Sequence, residues 1–191
     1  MSTSSAPLLR AYRSTWMQIA GWFVVVSAAL GIVDAVFRAT SGGRFSTVLF
    51  AVGAVAVAWV WALRPVVRER QDALLVVNPL RTAVMPWGSI TDVASVDVVT
   101  VTAGEVKVRC FAVPRSFRPP ARPVPGMTRG PSDPYAVAMQ KDPIVRFEAL
   151  RESLARPDDG PATYGWSPVA LAVLGSGLGL ILVAVLLVVT S

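Results

Sequence analysis

The chain has 191 residues, with 18 Lys and Arg against 12 Asp and Glu for a net charge of +6, one cysteine and no histidine. Without imidazole there is no Ser–His–Asp triad, no histidine general base and no His-ligated metal, and a lone Cys110 rules out an intrachain disulfide, which fits a reducing compartment. Apolar residues make up 53% of the chain and charged residues only 16%, below the roughly 25% of globular domains.

The apolar residues gather in three uncharged blocks, which gives the basic balance a simple reading. Cytoplasmic flanks of membrane helices collect Arg and Lys, and anionic lipid attracts them. Nucleic acid is set aside as a partner, and membrane lipid takes its place.

Residues 1–13 are small and polar, with Arg10 and Arg13 as the charges, and read as a short cytoplasmic tail without regular structure. Ser14 to Val33 is a run of 20 uncharged residues, which at ~1.5 Å per residue crosses a ~30 Å hydrocarbon core. With the residues around Asp34 it defines a first span over 14–37. A cleaved signal peptide competes, since a charged tail precedes the run and Ser27-Ala28-Ala29 supplies small residues; the length of the run and the second span close behind favour a retained helix. Ser41-Gly42-Gly43 marks a tight connection, and Phe45 to Leu63 is the second span, 45–63. Ala54, Ala58 and Ala62 recur every four residues on it, a small-residue face suited to close helix packing. Trp59 and Trp61 then precede Arg64, Arg68 and Arg70.

The soluble stretch, 64–156, opens with Val66 to Arg70, a short strand or helix exit. Leu74 to Val77 is rich in β-formers, Asn78-Pro79 marks a turn, Arg81 to Met85 returns, and Pro86-Trp87 closes the pair. Val96 to Thr102 and Val106 to Ala112 alternate around Ala103-Gly104, with Val106, Val108, Cys110 and Ala112 sharing one face, the period-2 signature of an antiparallel hairpin. An insertion at 114–134 follows, with seven prolines that exclude regular helix and central strand. Asp142-Pro143 starts an amphipathic helix, with Asp as N-cap and Pro at the first helical position. Ile144, Phe147, Leu150 and Leu154 form its apolar side. Residues 157–167 read as a linker. Pro168 to Thr190 is the third span, 23 uncharged residues with a Gly175/Gly179 GxxxG pair for helix packing.

The expected fold class is therefore three transmembrane helices plus a small α+β domain of pleckstrin-homology (PH) outline, an antiparallel β-barrel capped by a C-terminal helix. Val76-Val77-Asn78-Pro79-Leu80-Arg81-Thr82-Ala83-Val84-Met85-Pro86-Trp87-Gly88-Ser89-Ile90 resembles the bacterial PH-domain membrane proteins of the low-molecular-weight protein antigen type, over about residues 60–113. The resemblance implies a fold and a membrane setting, not an activity. Its eukaryotic relatives bind phosphoinositides through a basic hairpin, which would fall near Arg68, Arg70 and Arg81. The third span and the proline-rich insertion are not part of the family's minimal form.

Two chemical features stand out. Arg115, Arg118, Arg122 and Arg129 lie on the proline-stiffened insertion and, with Arg81, are candidates for contacting lipid phosphates or an acidic partner, against the plainer reading of a solvated loop. Trp87 reads as a core or corner residue and Cys110 as buried and inert. No catalytic residue, metal ligand or cofactor is assigned, because no nucleophile–base constellation accompanies Asp92 and Asp97. The expected function is a non-enzymatic membrane-anchored adaptor or scaffold that contacts a protein partner or anionic headgroups. The alternative is an accessory subunit of a membrane transport or envelope-assembly complex held through its helices. Counting Arg near the span ends puts the tail and the 64–166 region in the cytoplasm of a bacterial plasma membrane and the C-terminus outside.

Overall fold

A computed structural model of the chain describes residues 7–38, 41–95, 98–113, 143–156 and 159–190. The insertion 114–134 with Arg115, Arg118, Arg122 and Arg129, and the expected N-cap Asp142, lie outside the described residues. The chain divides into two compact units: a helical unit of Ser14–Pro65, Val77–Thr82 and Gly165–Ser191, and a sheet unit of Met1–Arg13, Val66–Val76 and Ala83–Tyr164.

The helical unit holds three helices long and apolar enough to cross a membrane: Thr15–Phe37, Gly43–Leu63 and Pro168–Thr190. They belong to α1 (Thr15–Arg38), α2 (Ser41–Ala58) with a π-helical turn Trp59–Leu63, and α4 (Pro168–Thr190). The second helix starts at Ser41, inside the stretch expected to be a connection. Its first turn is closed by hydroxyls: Ser46 Oγ and Thr47 Oγ1 donate to the Gly43 carbonyl at 3.1 and 2.8 Å. Arg44 Nε donates to the Ala35 carbonyl near the end of α1 at 3.2 Å. α2 packs on both α1 and α4.

Small residues set the closest approach, but not the pair expected on α4. A Cβ at Gly53 would meet the Gly177 carbonyl oxygen at 2.6 Å, and one at Gly177 would meet Ala56 Cβ at 2.8 Å. Gly175 and Gly179 face open space, with nothing within 4 Å of an added Cβ. They sit two residues to either side of Gly177, about 200° around a 3.6-residue helix, so the three cannot share a face. On α2, Ala58 is buried and Ala54 half-buried, the latter beside Phe23 and Ala28 of α1.

The sheet unit contains antiparallel sheet in two open pieces, not the closed barrel expected. Five strands run in the order β1 (Leu8–Tyr12), β2 (Val66–Arg70), β3 (Ala73–Val77), β4 (Arg81–Pro86) and β8 (Thr163–Trp166); three more, β5 (Asp92–Ser95), β6 (Val99–Ala103) and β7 (Val106–Arg109), form a second sheet in that order. The break falls at Pro86, which has no N–H to offer a ladder, and at the 3₁₀ turn Trp87–Ser89 that redirects the chain. The outer strands of the larger sheet come from the two segments read as tail and linker. β1 pairs with β2 antiparallel, with a bulge between Leu8 and Arg10. The β6–β7 hairpin pairs Ala103 with Val106 and turns at Gly104, whose φ of 59° suits a residue without a Cβ.

One core fills the sheet unit. Leu74, Val76, Met85, Trp87, Val99, Val101, Val108, Cys110 and Phe147 have 0% exposure. The Trp87 indole Nε1 donates to the Arg70 carbonyl at 2.9 Å, so its one polar atom is satisfied. Helix α3 (Pro143–Leu154) inserts Phe147 into this core and packs on β5 and the Trp87 turn. Its end is held by Asp159 Oδ2, which accepts from Gly88 N at 2.8 Å and Arg156 N at 3.1 Å.

Candidate functional site

The turn between β3 and β4 groups with the helices, and the helix ends hold it. Arg64 follows the last residue of the second long apolar helix. Its Nη1 donates to the carbonyls of Asn78 and of Pro79, the latter at 2.6 Å, and its Nη2 donates to Thr82 Oγ1 at 3.3 Å. Ser167, immediately before α4, donates its N–H to the Leu80 carbonyl at 2.9 Å. Asn78 N donates to the Arg81 carbonyl at 2.9 Å and closes the turn. A planar guanidinium with several fixed donors suits this task, because one side chain collects oxygens from three residues. Partial burial lowers the Arg64 pKa from its ordinary value.

Arg81 leaves the same turn and lies over the Trp166 ring, with its guanidinium carbon 4.1 Å from the ring centroid. Cation–π contacts of this kind contribute about 0.5–1 kcal/mol at exposed sites. The indole is itself 56% exposed. Arg81 and Trp166 thus present a joined cationic and aromatic surface at the foot of α4.

A second polar cluster lies in the sheet unit. Glu69 has 0% exposure, yet carries a carboxylate. Tyr12 Oη donates to its Oε1 at 2.6 Å, and Arg146 Nε donates to Oε2 at 2.8 Å and to Oε1 at 3.1 Å. Tyr12 also meets the Phe147 ring edge-on, centroids 5.7 Å apart at 89°. Burial first, and then the hydrogen bond to Glu69, push the Tyr12 phenol well above its usual pKa. The hydrogen bond to Glu69 raises that of Arg146. One carboxylate therefore fastens the first strand and α3 to β2. Cys110 sits in the core as expected, and burial pushes its thiol up to about 12, far from the thiolate that reactive cysteines need.

Of the residues singled out from sequence, Arg81 is placed at the foot of the helices and Ala58 within them. Gly175 and Gly179 point away from the described neighbours. Arg64, Trp166, Ser167 and the Tyr12–Glu69–Arg146 cluster were not singled out. Glu69 had a usable signal: alternation from Val67 puts it on the inner face of β2. Among the described residues there is no group of three His, Cys, Asp or Glu arranged to hold a metal. The helical unit also carries an apolar groove of about 300 Å³ between α2 and α4, lined by Thr47, Phe50, Ala184 and Val188.

No protein-family model, curated protein or solved structure matches this chain.

Proposed function

We propose that this chain is a non-enzymatic, membrane-anchored adaptor whose PH-like sheet unit is presented at the cytoplasmic face to a protein partner or to anionic lipid headgroups. The observation that carries it is the shortness of the joints. Two residues separate Tyr12 at the end of β1 from α1, two separate Leu63 at the end of the second apolar helix from β2, and one separates Trp166 at the end of β8 from α4. All three apolar helices are thus spliced onto strands of the same five-stranded sheet. A domain recruited to membranes by a signal needs a free state, and three such joints leave it none. The strand pair with its Asn-Pro turn, the Trp corner at residue 87 and the amphipathic α3 support the PH-like comparison; the open sheets depart from it.

The test is purification of the intact chain in mild detergent, with identification of co-purifying proteins and lipids. Partner recovery that survives Gly175→Leu and Gly179→Leu but falls with substitutions on the sheet unit supports the adaptor. Loss on the glycine substitutions alone favours the second reading, an accessory subunit held through its helices. The outward-facing Gly175 and Gly179 favour that reading, because small residues on an apolar helix admit a second helix closely.

A further inference from the structure

We propose that an apolar trough across α2 holds one acyl chain of a membrane lipid, taken from the leaflet at the Thr190 end of α4. The site rests on the membrane-anchored reading above, and it belongs to the helices alone.

The trough exists because α2 packs on both α1 and α4, while α1 and α4 share no extended contact with each other among the described residues. The α2–α4 groove of about 300 Å³ and a second groove of about 270 Å³ between α1 and α2 both take Thr47 and Phe50 as walls, so the two meet there. Phe50 is 50% exposed, and Gly31 on the α1 side has nothing within 4 Å of an added Cβ. The joined path begins at Val189, one residue from the end of α4. It passes Phe50 and reaches Phe23, ~21 Å inside the Phe37 end of α1 at ~1.5 Å per residue. One leaflet holds about 15 Å of hydrocarbon, half of a ~30 Å core, so a tilted chain entering at the helix ends follows most of that path.

Chemistry and width choose the occupant. No ionisable side chain lines either groove. The hydroxyls of Ser46 and Thr47 already donate to the Gly43 carbonyl at 3.1 and 2.8 Å. A headgroup or a polar ligand therefore finds little to hold it. A second helix is too thick: at ~10 Å across, a ~12 Å length of it fills roughly 900 Å³, about three times the larger groove. Lipid tails are as apolar as the walls, so burial from water supplies no drive inside a bilayer. Contact supplies it instead. An empty crevice forfeits the dispersion energy of its lining, and a flexible chain is thin enough to restore it. Walls on two sides then restrict that chain, so its lipid moves less than lipid on the open faces of the helices.

The experiment uses the full chain in nanodiscs of phosphatidylcholine that carry a small fraction of phosphatidylcholine with a nitroxide at mid-chain. The electron spin resonance spectrum should contain a motionally restricted component. Gly31→Phe puts a ring into the α1–α2 groove from an open position and should abolish it, whereas Gly175→Phe, also from an open position but outside both grooves, should keep it. Equal components in these two variants would mean ordinary surrounding lipid and overturn the site. Phe50→Ala removes the shared wall without filling the trough and should make the component more mobile; an unchanged component overturns the site as well. Exchanging phosphatidylcholine for phosphatidylglycerol, probe included, should alter nothing, and a marked headgroup preference would overturn an acyl-chain site without charged walls. A cross-linked dimer with no restricted component assigns the trough to a second copy and also overturns it. A chain that does not enter nanodiscs at all instead sinks the membrane reading on which the proposal stands.

Discussion

Removing the Arg146 side chain should loosen the sheet unit far more than removing both members of its ion pair. Glu69 is fully buried and takes hydrogen bonds from Arg146 at 2.8 and 3.1 Å and from Tyr12 at 2.6 Å. Breaking a fully buried pair by deleting one partner costs about 3–5 kcal/mol, since the remaining charge is left without compensation. The Arg146 side chain is 34% exposed, so water reaches the site, and the Tyr12 hydroxyl still solvates one oxygen. The cost of Arg146→Ala should therefore fall to ~2–3 kcal/mol. Glu69→Gln keeps the shape and leaves the arginine partly hydrated, for ~1–2 kcal/mol. Glu69→Leu with Arg146→Met removes both charges and should come within ~1 kcal/mol of the parent, with some loss because Tyr12 Oη then lacks its acceptor. Hydrogen exchange of the 66–70 peptide in the intact chain reads this directly: ~2 kcal/mol is a roughly thirtyfold faster exchange if opening is global. Equal acceleration in Arg146→Ala and in the double variant would refute the reasoning, because the buried carboxylate would then not be the source of the loss.

Three further outcomes follow from the same geometry. Gly53→Val or Gly177→Val should separate α2 from α4 and lower the thermal midpoint of the detergent-solubilised chain, whereas Gly175→Ala and Gly179→Ala, which meet open space, should not lower it; ~1 kcal/mol moves the midpoint by roughly 2–4 °C in a chain of this size. Alkali should unfold the sheet unit. The Cys110 thiol ionises near 9.0 when exposed and near 12 when folded, so its contribution is intact below pH 9 and is lost by ~1.4 kcal/mol per pH unit as pH rises from there to about 12. Tyr12, also raised on folding, adds a loss above pH 10, and Cys110→Ala should remove the lower part of the transition in a pH titration followed by near-ultraviolet circular dichroism. Arg64→Gln should free the Asn78–Arg81 turn and expose it to limited proteolysis, with Arg64→Lys recovering part of the protection, since a single ammonium cannot reach three oxygens in the same geometry.

The parts legible in the sequence are those whose signal is local. The β6–β7 hairpin announced itself by alternation, and Val99, Val101, Val108 and Cys110 are all buried as that alternation implies. The three long apolar helices were readable from length and lack of charge. β1 and β8 were not, because both are outer strands: Leu8 to Ala11 and Thr163 to Trp166 are exposed and show no two-residue period. β1 is fixed by Tyr12, whose partners Glu69 and Phe147 lie far along the chain. Arg68-Glu69-Arg70 looks like a solvated charged run, and only the partner 77 positions later makes burial of Glu69 tolerable. Gly177, between the two glycines of the GxxxG pair, occupies the buried face, while a Cβ at Gly175 or Gly179 meets nothing within 4 Å among the described residues. Arg81 is legible in the sequence by its charge; its contact with Trp166 is not, because it needs the turn and the foot of α4 to come together.

The measurement that bears most directly on a membrane-anchored sheet unit is sidedness. Cys110 is fully buried and useless as a reporter, so the probe is Glu105→Cys in the exposed β6–β7 turn, in a Cys110→Ala background. In sealed right-side-out vesicles a membrane-impermeant maleimide should leave residue 105 unlabelled until the vesicles are permeabilised, with the chain remaining in the membrane fraction throughout. Labelling before permeabilisation, or recovery of the chain in the soluble fraction, would contradict a sheet unit fixed at the cytoplasmic face.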